Sequence, residues 1–225
     1  MRILLLSFPL FLLIAGCTAR KATTSPPEFE PVSQVDRGDE EAILETFAAY
    51  KNQILNDMGS LAVNLVSEST IAYYQKISDL TRTADSTTVS NLPLLDKMTV
   101  LLIRHRTPAD KITGFNGKSL FVYSINEGMI SKGTVATVSV GHIVVNEDFA
   151  TTKLEKDGEF APFGFDFYRE GGRWKIDLTS VFSASAPAFR AMVESSGQSE
   201  NAFLMDLMQK MNGMAAKPSI WYPVE

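Results

Sequence analysis

Residues 165–178 read FDFYREGGRWKIDL, and this stretch decides the fold class that the sequence predicts. Apolar residues alternate with polar residues on both sides of the Gly171–Gly172 pair. Alternation with period two around a two-glycine turn predicts a β-hairpin that has one apolar face. A two-residue loop places Phe167 directly opposite Ile176 on that face.

Helical patterns come before this hairpin. Apolar residues spaced three and four positions apart predict a first helix capped by Asp39 and a second helix that starts at Ser67. A third helix is predicted to begin at Leu92–Pro93 and to end at Pro108. A shorter helical stretch is predicted from Lys118 to Glu127.

Strand patterns follow the helices. One strand is predicted from Val135 to Val145, which is rich in β-branched residues, and a second strand from Phe149 to Leu154. The turn Asn146–Asp148 separates the two strands. After Thr179 the apolar spacing is helical again, up to a stop at Gly213. Helices followed by antiparallel strands predict an α+β fold, in which N-terminal helices pack on one face of a curved antiparallel sheet. Extra helices then follow the last strand.

The Trp174-Lys175-Ile176-Asp177 motif and the aromatic residues before the turn resemble the terminal hairpin of nuclear-transport-factor-like, cystatin-like cone domains. That superfamily includes SnoaL-like polyketide cyclases and ketosteroid isomerases. The resemblance covers residues 165–178 and, by helix order alone, the preceding part. It implies a cone-shaped domain from 39 to 225. The C-terminal helices are a difference from the family, because the simple cone usually ends at its last strand. It also implies an inner wall able to carry catalytic groups and an outer sheet face suited to homodimers.

The N-terminus predicts export. Arg2 supplies a positive charge, Ile3 to Ile14 is almost wholly apolar, and Ala15-Gly16 precede the only cysteine, Cys17. This is the layout of a secretory signal. The apolar run is too short to span a bilayer, which needs about 20 residues. The tetrapeptide ending at Cys17 resembles the bacterial lipobox, in which the cysteine is acylated and becomes the mature N-terminus.

We therefore expect a lipoprotein signal peptide at 1–16, a flexible tether at 17–38 and one domain at 39–225. The tether segment is polar, bears prolines and lacks apolar periodicity. Thr18 resembles the residue after the cysteine in outer-membrane lipoproteins. The expected location is the cell envelope, on the outer membrane facing the periplasm in a Gram-negative host, held there by the lipid on Cys17.

Composition and motifs argue against several functions. The net charge of −5 argues against nucleic-acid binding, which depends on clustered basic residues. The two histidines, His105 and His142, lack the spacing of a ligand pair, so we expect no metal site and no cofactor. Neither a Gly-x-Ser-x-Gly elbow nor a glycine-rich phosphate loop is present in the sequence.

A few polar residues are candidates for a site. Asp166 and Asp177 are cross-strand neighbours in the predicted register, but their alternation with apolar residues predicts a solvated face. Arg104 and His105 lie at a helix C-terminus, where the helix dipole favours cations. The alternative is that Arg104 or His105 reaches into the cone to bind an anion. We take these two residues and Tyr74 as a candidate pocket.

Three classes of function stay open. The favoured one is an extracytoplasmic module that binds a small molecule or a partner protein, with a homodimer as a further possibility. The second is an isomerase-like or cyclase-like enzyme that uses the cone pocket and needs a buried carboxylate or histidine. The third is a structural envelope protein. No catalytic residue is assignable from the sequence.

Overall fold

The computed structural model describes residues 37–130, 132–161 and 163–224. The signal peptide, Cys17 and nearly all of the tether lie outside these residues. The described helices are α1 (Arg37–Leu55), α2 (Gly59–Ala62), α3 (Glu68–Thr83), α4 (Ser86–Ser90), α5 (Leu94–Arg106), α6 (Ala109–Thr113), α7 (Gly117–Asn126), α8 (Lys132–Thr137), α9 (Thr179–Ser195), α10 (Glu200–Asn212) and a 3₁₀ turn (Pro218–Trp221). The strands are β1 (Val138–Asn146), β2 (Phe149–Lys156), β3 (Glu159–Phe160), β4 (Asp166–Glu170) and β5 (Arg173–Asp177).

The five strands form one antiparallel sheet in the order β1-β2-β4-β5, with β3 paired to β2. The mixed helix and sheet content confirms the predicted α+β class. The predicted hairpin register is also confirmed, because Phe167 pairs with Ile176. Gly171 and Gly172 both have positive φ, at 57° and 74°, as a two-residue primed turn requires.

The apolar face of this hairpin lies in the core. Phe167 and Ile176 have no exposed surface, and the ring of Phe165 lies 5.7 Å from that of Phe47 in α1. We call this side of the sheet the inner face. The core continues through α1, α3, α5 and α7, whose fully buried side chains include Ile43, Ile77, Leu101 and Phe121.

Asp39 does not cap α1. The helix is already formed at Arg37, and Asp39 lies within its first turn. Its carboxylate accepts a hydrogen bond from Trp174 Nε1 at 3.1 Å and pairs with Arg169 at 2.6 Å. The Arg169 guanidinium also stacks over the Trp174 ring at 4.6 Å. A residue that sequence spacing assigns to helix capping therefore fastens α1 to the hairpin.

The first strand is shorter than predicted. Lys132–Thr137, which includes Val135, forms α8 and packs against α1, and β1 begins only at Val138. Lys51 of α1 donates to the Val138 carbonyl at 2.8 Å, at the junction of helix and strand. Local β-propensity is thus overridden by packing against α1, which is non-local information.

The edge of the sheet at β5 is closed by the chain itself. Ser67 N donates to the Ile176 carbonyl at 2.8 Å, and Ile176 N donates to the Leu65 carbonyl at 2.9 Å. Ser67 then caps α3 by accepting from Thr70 N. The segment before α3 therefore extends the sheet by one short parallel pairing and fixes where α3 starts.

Candidate functional site

Two tyrosines from different helices place their phenol groups in the protein interior. Tyr50 of α1 is 4% exposed and Tyr74 of α3 is 8% exposed. Burial raises the pKa of both phenols above the ordinary value, and the neighbouring Tyr74 raises that of Tyr50 further. Both side chains belong to the buried core of the domain.

Gln53 adds a third polar group on the same helix as Tyr50. Residues three positions apart are neighbours on a helix surface, so Gln53 lies beside Tyr50 on α1. Its Oε1 atom is buried and has no hydrogen-bond partner among the described residues. A buried polar atom without a partner costs roughly 1–3 kcal/mol. Native interiors satisfy such atoms with protein, water or a bound molecule.

The surroundings of Tyr74 are aromatic. Its ring meets that of Phe121 edge to face at 5.1 Å and that of Tyr73 at 5.8 Å. The hydroxyl of Tyr73 differs from the other two, because it donates to Asp96 Oδ1 at 3.1 Å. Asp96 in turn pairs with Lys76 at 2.8 Å. Tyr73 is therefore held by a polar contact of its hydroxyl, and Tyr74 packs against it through its ring.

The cluster of Tyr50, Gln53 and Tyr74, which we call the tyrosine cluster, has a defined hydrogen-bonding capacity. Each phenol can donate and accept, and the amide oxygen of Gln53 accepts. Because the phenol pKa values are raised, both hydroxyls keep their protons at neutral pH. The cluster can therefore hold a neutral polar group, but it offers no base for proton abstraction.

Arg104, a predicted pocket residue, hydrogen-bonds to backbone carbonyls away from Tyr74. Its Nε donates to the Thr81 carbonyl at 2.7 Å, and Nη2 donates to the carbonyls of Leu80 and Ala84 at 3.0 and 2.7 Å. Nη1 donates to the Ile220 carbonyl at 3.1 Å. These contacts hold the guanidinium at the C-terminal end of α3, roughly 9 Å or more along the helix from Tyr74. Burial lowers the pKa of Arg104 to about 10, so it stays charged at neutral pH.

The two histidines lie in different places. His105 is half-buried near the end of α5, and burial together with Arg106 lowers its pKa. His142 is exposed in β1 at an irregularity of the strand pairing. Of the three predicted pocket residues, only Tyr74 belongs to the tyrosine cluster.

Asp166 and Asp177 are paired across β4 and β5 as predicted, but the predicted solvation is wrong for Asp177. Asp177 is 5% exposed, and its Oδ1 accepts from Thr70 Oγ1 at 3.2 Å. The same oxygen accepts from Thr179 N and Oγ1, at 2.9 and 2.8 Å. Because α9 begins two residues after Asp177 and α3 begins beside it, helix ends cover a strand position that alternation assigns to water.

Sequence reasoning did not single out Tyr50 or Gln53. Tyr50 lies in the apolar stripe of α1, where it is indistinguishable from the core residues Phe47 and Ile54. The available signal was a hydroxyl within a buried stripe, because such a group needs a partner. That signal becomes specific only when the contacts of the hydroxyl are known.

Comparisons with protein families, with curated proteins and with solved structures found no match for this chain. Within residues 37–130, 132–161 and 163–224, no helix is both long and apolar enough to cross a membrane. The same residues contain no group of three or more histidine, cysteine, aspartate or glutamate side chains that could hold a metal ion.

The facing carboxylates predict a pH-dependent stability. Partial burial and the charge of Asp177 raise the pKa of Asp166 in the folded state. Ionised Asp166 therefore destabilises the fold at pH values above that pKa, and the effect disappears below the unfolded-state value of about 3.9. We expect Asp166→Asn to raise the free energy of unfolding at about pH 7 by ~0.2–1 kcal/mol, and to change it little at about pH 3.

Urea denaturation at the two pH values measures this difference. Asp157→Asn is the control, because Asp157 is exposed in the turn between β2 and β3 and has a positive φ that asparagine tolerates. An Asp166→Asn variant that is less stable than the unmodified protein at neutral pH would contradict the like-charge account.

Proposed function

We propose that this chain is a lipid-anchored protein of the cell envelope whose domain binds a small neutral molecule at the tyrosine cluster. The observation that carries the binding proposal is the buried Oε1 atom of Gln53, which has no hydrogen-bond partner among the described residues and lies on α1 beside the buried Tyr50. The signal layout and the lipobox-like tetrapeptide support the anchor on Cys17. Several acyl chains would hold the protein durably, whereas one chain binds a membrane only marginally.

The proposed setting follows from the N-terminal segments. Cleavage before Cys17 leaves a tether up to residue 38, which lets the domain stand off from the bilayer. In a Gram-negative host, Thr18 favours the outer membrane and a domain that faces the periplasm. The domain itself takes the cone shape of nuclear-transport-factor-like proteins in this proposal, with the tyrosine cluster between the helices and the sheet.

The chemistry of the cluster favours a neutral, partly polar ligand. Protonated phenols donate hydrogen bonds, and Gln53 Oε1 accepts one, so a ligand group such as a hydroxyl or carbonyl satisfies both sides. The ring of Phe121 beside Tyr74 supplies an apolar wall. Small-molecule sites combine apolar walls with a few placed polar groups in this way.

Binding is favoured over the isomerase or cyclase alternative. Proton transfer at neutral pH needs a base whose pKa lies near 7, and phenols with raised pKa values do not provide it. The carboxylates of Asp166 and Asp177 project from the sheet face opposite the one that carries Phe167. A partner protein in place of a small molecule, or a structural envelope role, would leave the tyrosine cluster without a ligand.

The ligand experiment uses protein purified from membranes without added small molecules. After denaturation, mass spectrometry of the released small molecules should find one compound in near-stoichiometric amount. The double variant Tyr50→Phe, Tyr74→Phe should retain at least about tenfold less of it, because it loses two hydrogen bonds of about 1 kcal/mol each. Its stability should change little, since both substitutions keep the aromatic ring that packs in the core.

Tyr73→Phe is the matched control. It removes a neighbouring phenol hydroxyl that donates to Asp96, so it should lower the free energy of unfolding by roughly 1.5–3 kcal/mol and keep the ligand. Equal amounts of ligand in the double variant and the unmodified protein would contradict the assigned site. No retained compound in any of the proteins would contradict small-molecule binding.

The anchor has its own test. Cys17→Ser should abolish labelling by a fatty-acid analogue and release the protein from the membrane fraction, because the thiol that carries the lipid is lost. The control Cys17→Ser, Thr18→Cys restores a cysteine one position later and should stay unlabelled. Continued labelling of Cys17→Ser would contradict the lipoprotein assignment.

A further inference from the structure

The strand β1 forms the open edge of the sheet. It is the end strand in the order β1-β2-β4-β5, and no described residue pairs with its other side. The edge at β5 differs, because Leu65 and Ser67 hydrogen-bond to Ile176 there. Among the described residues, the backbone closes one edge of the sheet and pairs with no N–H or C=O group on the other side of β1. Such an edge is a template for pairing with another strand.

Burial along β1 is incomplete on the side that faces the core. Val145 is only half-buried, although its cross-strand partner Ala150 has no exposed surface. Ile143 is half-buried too, whereas its partner Thr152 is 6% exposed. Inner-face residues at an edge lack a neighbour on one side, and a further strand would cover them.

The charge of β1 indicates which partner fits. The strand reads VSVGHIVVN and contains no acidic or basic residue other than His142. The whole chain has a net charge of −5, so two copies repel each other where their charged surfaces meet. An uncharged edge lets two copies approach without placing like charges opposite each other. Proline and lysine, which commonly protect edge strands, are also absent from this strand.

We propose that β1 is a self-association surface at which two copies of this chain pair antiparallel and join their sheets. Antiparallel pairing about a two-fold axis brings the same strand of each copy together and matches each donor with an acceptor. The register shift between Gly141 and Ile143 interrupts the strand, so the pairing runs along Ile143–Asn146. This proposal is independent of ligand binding, and it differs from dimerisation through the outer sheet face.

Two lysine substitutions distinguish association at the β1 edge from association through the outer face of the sheet. Val144 of β1 and Thr151 of β2 are cross-strand partners, so their side chains lie on the same side of the sheet. That side is the outer face, because Thr151 is also paired with Asp166. Val144→Lys places two lysines close together across the proposed two-fold pairing. Thr151→Lys puts the same charge one strand away from the edge.

Native mass spectrometry of the purified, full-length mature protein across a dilution series measures the dimer fraction. We expect a dimer whose dissociation constant rises about tenfold or more in Val144→Lys and less than about twofold in Thr151→Lys. Amide exchange at Val144 and Val145 should slow as the concentration of unmodified protein rises, and this holds even if Val144→Lys fails to fold.

Three outcomes would overturn the proposal. The first is a monomer at all concentrations, with β1 amide exchange independent of concentration. The second is an equal loss of dimer in both lysine variants, which assigns association to the outer sheet face. The third is a dimer that neither variant weakens.

Discussion

Burial of one face of the β4–β5 hairpin is the constraint on which the rest of the structure depends. Phe167 and Ile176 lie opposite each other with no exposed surface, and an isolated hairpin has no means of covering them. The helical layer supplies that cover. Asp39 fastens α1 to the hairpin through Trp174 and Arg169, and the backbone before α3 hydrogen-bonds to β5. The hairpin thus ties α1 and the start of α3 to the same two strands.

The same arrangement buries polar groups, which costs free energy unless they are hydrogen-bonded. Tyr50 and Tyr74 face the interior from α1 and α3, where their rings contribute apolar surface but their hydroxyls lose water. Arg104 shows how the fold satisfies a buried polar group, because its guanidinium hydrogen-bonds to four carbonyls. Gln53 on the same helix as Tyr50 differs, because its buried Oε1 atom has no hydrogen-bond partner among the described residues. The contrast is the reason to propose a ligand at the tyrosine cluster and a purely structural role for Arg104.

The sequence predicted the parts of the fold that depend on local periodicity. The hairpin register followed from alternation around Gly171–Gly172, and the α+β class followed from the order of the patterns. The prediction from sequence failed where contacts with a distant segment determine the local structure. Asp177 is covered by the starts of α3 and α9, and Val135 is drawn into a helix packed on α1. For the tyrosine cluster, only Tyr74 was predicted, because the proximity of Tyr50 on α1 to Tyr74 on α3 is visible only in three dimensions.

The most direct test of ligand binding is a crystal structure of the mature protein purified from membranes, with attention to the surroundings of Tyr50, Gln53 and Tyr74. The proposal predicts electron density for a non-protein molecule, with a polar atom about 2.7–3.0 Å from at least one of the two hydroxyls. It would be contradicted if both hydroxyls hydrogen-bonded directly to protein atoms. Density there that corresponds only to water molecules would contradict it as well.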